Sequence, residues 1–252
     1  MGIGGAGALT NSSASTGTYA GAITLGGISS IGGTGGTISV TGAVNASAND
    51  YDLVFIGSKN ISLSNSSNRL ATIASGSSIG ALTVVNSGNL AIGSVTAGGV
   101  TFNGLNASGA ISIKTTGNLT ISKNVVTTSQ ATSGSAPALL LAAGSGDTAG
   151  TTTNNILLTG SPTFTVGSGG VANFYTGGLT ESADLKTYIE AQTNNSSTYN
   201  STLTTQPTTA GYNIIYRGFP PYIYVTIVDG QTGTYGTASG LSYWYSTSAS
   251  SY

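Results

Sequence analysis

The chain has 252 residues, room for one large or two small domains, with only six basic and seven acidic residues, 39 glycines and neither cysteine nor histidine. That composition excludes a disulfide framework and thiolate chemistry, and it removes the commonest metal ligand and the usual general base near neutral pH. With no basic excess for nucleic acid and no apolar run near the roughly 20 residues of a spanning helix, neither nucleic-acid binding nor membrane insertion is expected, and no cofactor is implied.

Residues 1–20 are rich in Gly, Ser and Ala and read as a flexible stretch without the charged and apolar regions of an export signal. Ile23 and Leu25, then Ile38 and Val40, are apolar pairs two residues apart, the period of a strand with one buried face. From Leu53 the pairs recur with a period of 29: Leu53/Phe55, Leu82/Val84 and Ile111/Ile113, each followed eight residues later by Ile61/Leu63, Leu90/Ile92 and Leu119/Ile121. Ala71/Ile73 and Val100/Phe102 supply a third pair, and Gly, Ser, Asn and Thr fill the gaps as turn residues. Such a period points to a solenoid. The expected fold is all-β, a right-handed parallel β-helix with three short strands per roughly 29-residue coil, spanning 21–179. Leu53, Leu82 and Ile111 should then stack in one column about 4.8 Å apart. Asn60, Asn89 and Asn118 share the period. They read either as an inward asparagine ladder or as three turn residues chosen for backbone reasons.

In the coil that begins at Ile111, Thr127–Ala136 reads as an insertion before a third strand at Leu139–Leu141, and Gly144–Asn154 as a second insertion. Ile156/Leu158, Phe164/Val166 and Phe174 then recover the spacings of eight and ten. The pattern changes over 180–211. Leu185, Tyr188 and Ile189 lie at helical spacing after acids in the first turn, which predicts a short amphipathic helix capping the solenoid or docking a partner. Asn194–Thr209 reads as a polar linker. Residues 212–252 concentrate the aromatics and read as a small β-module with a strand at Tyr222–Val228 and a turn at Asp229-Gly230. Tyr222, Tyr224, Tyr243 and Trp244 are the candidate glycan contacts, because sugars stack on aromatic rings; sheet packing is the competing reading.

Catalytic signatures are sparse. Gly2-x-Gly4-x-x-Gly7 and Gly144-x-Gly146-x-x-Ala149 match a dinucleotide fingerprint as text, but neither opens a helix after a strand. Asp50 and Asp52, about 6–7 Å apart if extended, suggest a glycosidase pair, yet no acid occupies the equivalent places 29 residues on, Ile79 and Ala81. Lys59, Arg69, Lys114 and Lys123 have no acidic cluster beside them for a lyase. Sequons at Asn11, Asn45, Asn60, Asn65, Asn106, Asn118, Asn195 and Asn200 are expected by chance in a chain this rich in Asn, Ser and Thr.

Two stretches carry a family resemblance. Asn155-Ile-Leu-Leu-Thr-Gly-Ser-Pro-Thr-Phe-Thr-Val-Gly-Ser-Gly-Gly with Asn173-Phe-Tyr-Thr-Gly resembles the end of the β-helix in filamentous-haemagglutinin-like exoproteins. Val225-Thr-Ile-Val-Asp-Gly-Gln-Thr-Gly-Thr-Tyr-Gly-Thr-Ala-Ser-Gly-Leu-Ser-Tyr looks like the opening of the MBG- or YDG-type β-module that often follows, although Thr237 stands where that module usually has Asp. Too few residues follow 225 for a full module, so it is a truncated or reduced one. The resemblance implies a secreted adhesin of Gram-negative bacteria, exported by a two-partner pathway. Such a protein stays at the outer-membrane surface and acts in attachment, aggregation or biofilm matrix. Its expected partners are host or bacterial cell-surface glycans or proteins, or matrix polysaccharide. A structural, non-enzymatic rod segment is the expectation. A self-assembling subunit of an extracellular filament or surface layer is the alternative, and a polysaccharide-active β-helix enzyme a minor one.

Overall fold

Triplets such as Ile38-Ser-Val, Ile61-Ser-Leu and Leu90-Ala-Ile each bury their outer two residues and leave the middle one accessible, so each forms a short strand with one face inward. The computed structural model describes residues 7–33, 35–46, 50–76, 78–221, 224–227 and 243–246. The chain divides into two compact units, Met1–Gly218 and Phe219–Tyr252.

In the first unit the strands line up in parallel sheets. The longest has nine strands in the order Gly17–Tyr19, Ile38–Val40, Ile61–Leu63, Leu82–Asn86, Ile111–Thr115, Leu139–Ala142, Val171–Thr176, Gly211–Tyr216 and Asn195–Thr198. Its register puts Val40, Leu63, Val84, Ile113, Leu141, Phe174 and Ile214 in one fully buried column. A second sheet of six strands runs from Ser29–Gly33 through Tyr51–Gly57, Leu70–Ser75, Leu90–Ile92 and Leu119–Ile121 to Ile156–Leu158. Leu105–Ala107, Val125–Thr127 and Phe164–Thr165 make a third, and Ile23–Leu25 pairs with Val44–Ala46. One continuous apolar core lies between the sheets. No single pass of the chain can bury its own apolar residues, so each depends on its neighbours.

All-β parallel architecture is as expected, but the uniform 29-residue coil is not. Leu53 pairs with Ile73 in the second sheet, whereas Leu82 belongs to the long sheet and pairs back to Ile61. The column Leu53–Leu82–Ile111 therefore does not exist. Ile38 meets Ile61, 23 residues on, and Ile61 meets Leu82, 21 on; a span of 29 holds from Leu82 to Ile111 and from Leu90 to Leu119. The extra residues are an antiparallel hairpin, Ser94–Ala97 with Val100–Asn103, so Val100 and Phe102 are not a third strand of the stack. That hairpin lays Val95, Ala97 and Phe102 over the outward side chains Val54, Ile56 and Ala74. Likewise Leu139–Ala142 opens a new pass beside Ile111–Thr115, and the third strand before it is Val125–Thr127. The physical reason is that a strand start every eight residues satisfies any two adjacent faces of the stack; periodicity alone does not tell one face from another.

Three boundaries also move. Gly17–Tyr19 is a strand and Leu9 bridges to Ile31, so strand structure is present within the stretch read as flexible. Within the expected linker, Asn195–Thr198 forms the edge strand of the long sheet. Leu203 packs there on the outer cluster Leu140, Ala142, Tyr175 and Ile215. That cover explains why all four residues of Leu139–Ala142 are buried on both faces. Gly211–Tyr216 belongs to the same sheet, so the unit break falls after Gly218 rather than at 212. The helix Ala183–Glu190 is as expected, with Leu185 and Ile189 buried against Ile156–Leu158, Asn195–Thr198 and Gly211–Tyr216. In the second unit Tyr224–Ile227 pairs antiparallel with Tyr243–Ser246.

Candidate functional site

Asn60, Asn89 and Asn118 do not form one column: Asn60 stands before Ile61 in the long sheet, whereas Asn89 and Asn118 stand before Leu90 and Leu119 in the second. The Asn60 Oδ1 accepts the backbone N–H of Ala81 at 2.8 Å, that of Asn89 accepts Asn118 N–H at 2.9 Å, and that of Asn118 accepts Asn155 N–H at 2.6 Å. Asn60 and Asn89 are exposed, so these are not inward amide ladders; each side chain instead tethers the turn of the next pass. The inward asparagines are others. Asn68 and Asn86 are fully buried, and the Asn86 Oδ1 accepts Leu70 N–H at 2.9 Å while its amide donates to Ser87 O and Asn89 O. They sit at turns whose carbonyls point inward, where an apolar side chain would strand those groups.

Where the third sheet runs out, four aromatic rings close the core. Phe164 meets Phe174 edge-on with centroids 5.0 Å apart and Tyr188 at 5.1 Å, and Tyr212 lies 6.4 Å from both Phe174 and Tyr188. The Phe164 N–H donates to the Tyr188 hydroxyl at 2.9 Å, which donates back to Phe164 O at 3.1 Å. One phenol thus satisfies both backbone groups of an edge strand. Tyr212 also donates to Phe164 O, at 3.0 Å, so in Tyr188→Phe only the N–H is left without a partner. A loss of about 1–2 kcal/mol is expected in denaturant melts; a midpoint equal to the parent's would overturn the edge-capping role.

Burial pushes the phenols of Tyr212 and Tyr216 upward in pKa and raises that of Tyr175 to about 12, with Asn173 opposing in the last case. Tyr175 is 2% exposed and donates to Thr205 O at 2.7 Å. The unfolded phenol ionises near 10. The stability that the folded, neutral form lends is therefore complete below pH 10 and is lost as pH rises through 10 towards 12. Melting temperatures taken from pH 9 to 12 should fall over that window, less steeply in Tyr175→Phe. Parallel curves would refute the assignment.

Arg217 is 3% exposed, an unusual place for a guanidinium. Its nitrogens donate to Ala143 O at 2.6 Å, Thr153 O at 2.7 Å and Asn154 O at 2.6 Å, and Asp147 stands 3.5 Å away. Burial lowers its pKa and Asp147 opposes that. The arginine holds the inserted loop between Leu139–Ala142 and Ile156–Leu158. Nearby the Asn155 Oδ1 accepts Gly178 N–H at 2.7 Å, and its amide donates to Thr152 O at 2.9 Å. A lone arginine before Gly-Phe-Pro-Pro gave no such signal in the sequence.

Of the proposed glycan contacts, Tyr222 lies outside the described residues, as do the side chains of Tyr224, Tyr243 and Trp244; the backbone pairs Tyr224 with Ser246, Thr226 with Trp244 and Ile227 with Tyr243. The turn at Asp229-Gly230 is likewise outside them. Asp50 forms a two-pronged pair with Arg69, at 3.1 and 3.3 Å, on an exposed turn. Two open grooves were not foreseen. One, of about 530 Å³, lies between the helix and the turn Gly160–Thr163; the other, of about 290 Å³, is lined by Asn103, Ser122, Lys123 and Asn124. Gly160 lines both. Residues from the helix, the strand connections and the hairpin meet there only through tertiary packing, so no local motif announces it.

Compared with protein-family models, curated proteins and solved structures, the chain matches none.

Proposed function

We propose that residues 7–218 form a right-handed parallel β-helix that serves as a rod segment of a secreted bacterial surface adhesin. The observation that carries this reading is the long sheet. Its parallel strands stack pass upon pass with apolar columns inside and Thr18, Ser39, Ser62, Thr83 and Ser112 in register outside. Right-handedness follows from the strong preference of parallel crossovers. Nine strands about 4.8 Å apart span roughly 38 Å, and backbone bonds between passes make such a stack stiff. Low charge with a hydroxyl-rich exterior suits hydrogen bonding to cell-surface or matrix polysaccharide, and the resemblance to filamentous-haemagglutinin-like exoproteins supports export to the cell surface.

Beads coated with the fragment should adhere to bacterial or host cells, or to matrix polysaccharide, more than beads carrying the heat-unfolded chain. Equal adherence would refute the adhesin reading. A second reading, a filament subunit, is favoured by one observation: among the described residues, Gly17–Tyr19 and Asn195–Thr198 each have a strand on one side only in the long sheet. Light scattering separates the two, since a filament subunit grows with concentration and a rod segment stays monomeric.

A further inference from the structure

We propose that the two grooves joined at Gly160 form one elongated binding site for a linear, uncharged oligosaccharide chain; this rests on the reading of the protein as a glycan-contacting adhesin and locates the contact. The larger groove is of a size that takes a small ligand. Into it converge Ser161, Thr163, Asp184, Thr187 and the ring of Tyr188. The Tyr188 hydroxyl is already committed to Phe164, so it offers the groove its ring rather than its oxygen. Ser161, Thr163 and Asp184 are exposed, and among the described residues their side chains make no hydrogen bond. Hydroxyls and a carboxylate beside an aromatic ring and Leu158 match the two aspects of a sugar, polar at its edge and apolar on its face.

Gly160 holds φ at +70° and Ser161 at +56°, and this pair of left-handed residues carries the chain between the two grooves. Beyond it Lys123, Asn103 and Asn124 continue the polar lining towards the base of the hairpin. Asn124 is fixed by accepting Thr163 N–H at 2.9 Å, which ties the two walls together. The ends carry one carboxylate, Asp184, and one ammonium, Lys123, so the site as a whole has no net charge to select an anion or a cation. With one carboxylate among the lining residues there is no pair for glycoside hydrolysis, so the site binds and releases its ligand unchanged.

The probes are cello-, chito- and xylo-oligosaccharides of two to six units, titrated calorimetrically into the whole chain. Affinity for one series should rise with length until both grooves are filled. Thr187→Trp, an exposed helix position whose ring would fill the larger groove, should weaken it tenfold or more. Lys123→Ala should remove the gain of the longer probes while leaving the shortest unchanged. Both variants should melt with the parent, which separates a blocked site from a damaged fold. Binding that ignores Thr187→Trp overturns the groove and leaves the glycan reading standing elsewhere on the chain. If none of the probes binds, and the coated beads still adhere to cells, the groove proposal fails and the adhesin reading survives; silence in both assays ends both.

Discussion

Arg217→Ala should cost about 3–5 kcal/mol, the range for breaking a buried charged cluster by removing one member. The change leaves Ala143 O, Thr153 O and Asn154 O without their donor and takes the cation from beside Asp147. Three carbonyls that meet at one planar guanidinium cannot be served by a single ammonium, so Arg217→Lys should recover only a minor share. In a unit this size the loss corresponds to a fall in melting temperature on the order of 10 °C. Limited proteolysis gives a second readout: new cleavage should concentrate in residues 144–154, the loop that the arginine holds. A variant that melts within 2 °C of the parent, with the loop still protected, would show that the guanidinium is replaceable by water.

Phe174→Ala should be as damaging, for a different reason. Phe174 is fully buried in the column between Leu141 and Ile214, packed edge-on against Phe164 at 5.0 Å and stacked on Tyr212 at 6.4 Å. Truncation removes the transfer energy of the ring and leaves a cavity between sheets that backbone bonding holds at fixed spacing. The expected cost is about 3–5 kcal/mol, near the upper end because strands on both sides prevent collapse. Ile214→Val in the next strand tests the same column more gently and should cost about 0.5–1.5 kcal/mol. If Phe174→Ala cost under 1 kcal/mol by denaturant titration, the inward column would not be the core of this end of the stack.

The sequence by itself determined the strand content and most strand positions. Apolar pairs two apart at Ile38/Val40, Ile61/Leu63, Leu90/Ile92 and Leu119/Ile121 all lie on strands with both members buried, because a residue pair that alternates with polar neighbours has one way to bury itself. It also determined the helix, where Leu185 and Ile189 share a face. Tertiary structure decided which strand stands over which. A spacing of eight leads both from the second sheet to the long one, Leu53 to Ile61, and from the long sheet to the second, Leu82 to Leu90, so Leu53 and Leu82 looked like equivalents although they lie in different sheets. The choice among registers is made by strand-to-strand hydrogen bonding and by the fit of side chains from facing sheets, a sum over contacts distant in sequence. For the same reason Tyr212 looked like the start of an aromatic module but plugs the core, Arg217 gave no local sign of its loop, and the Gly160 groove exists only where the helix, two connections and a hairpin are brought together.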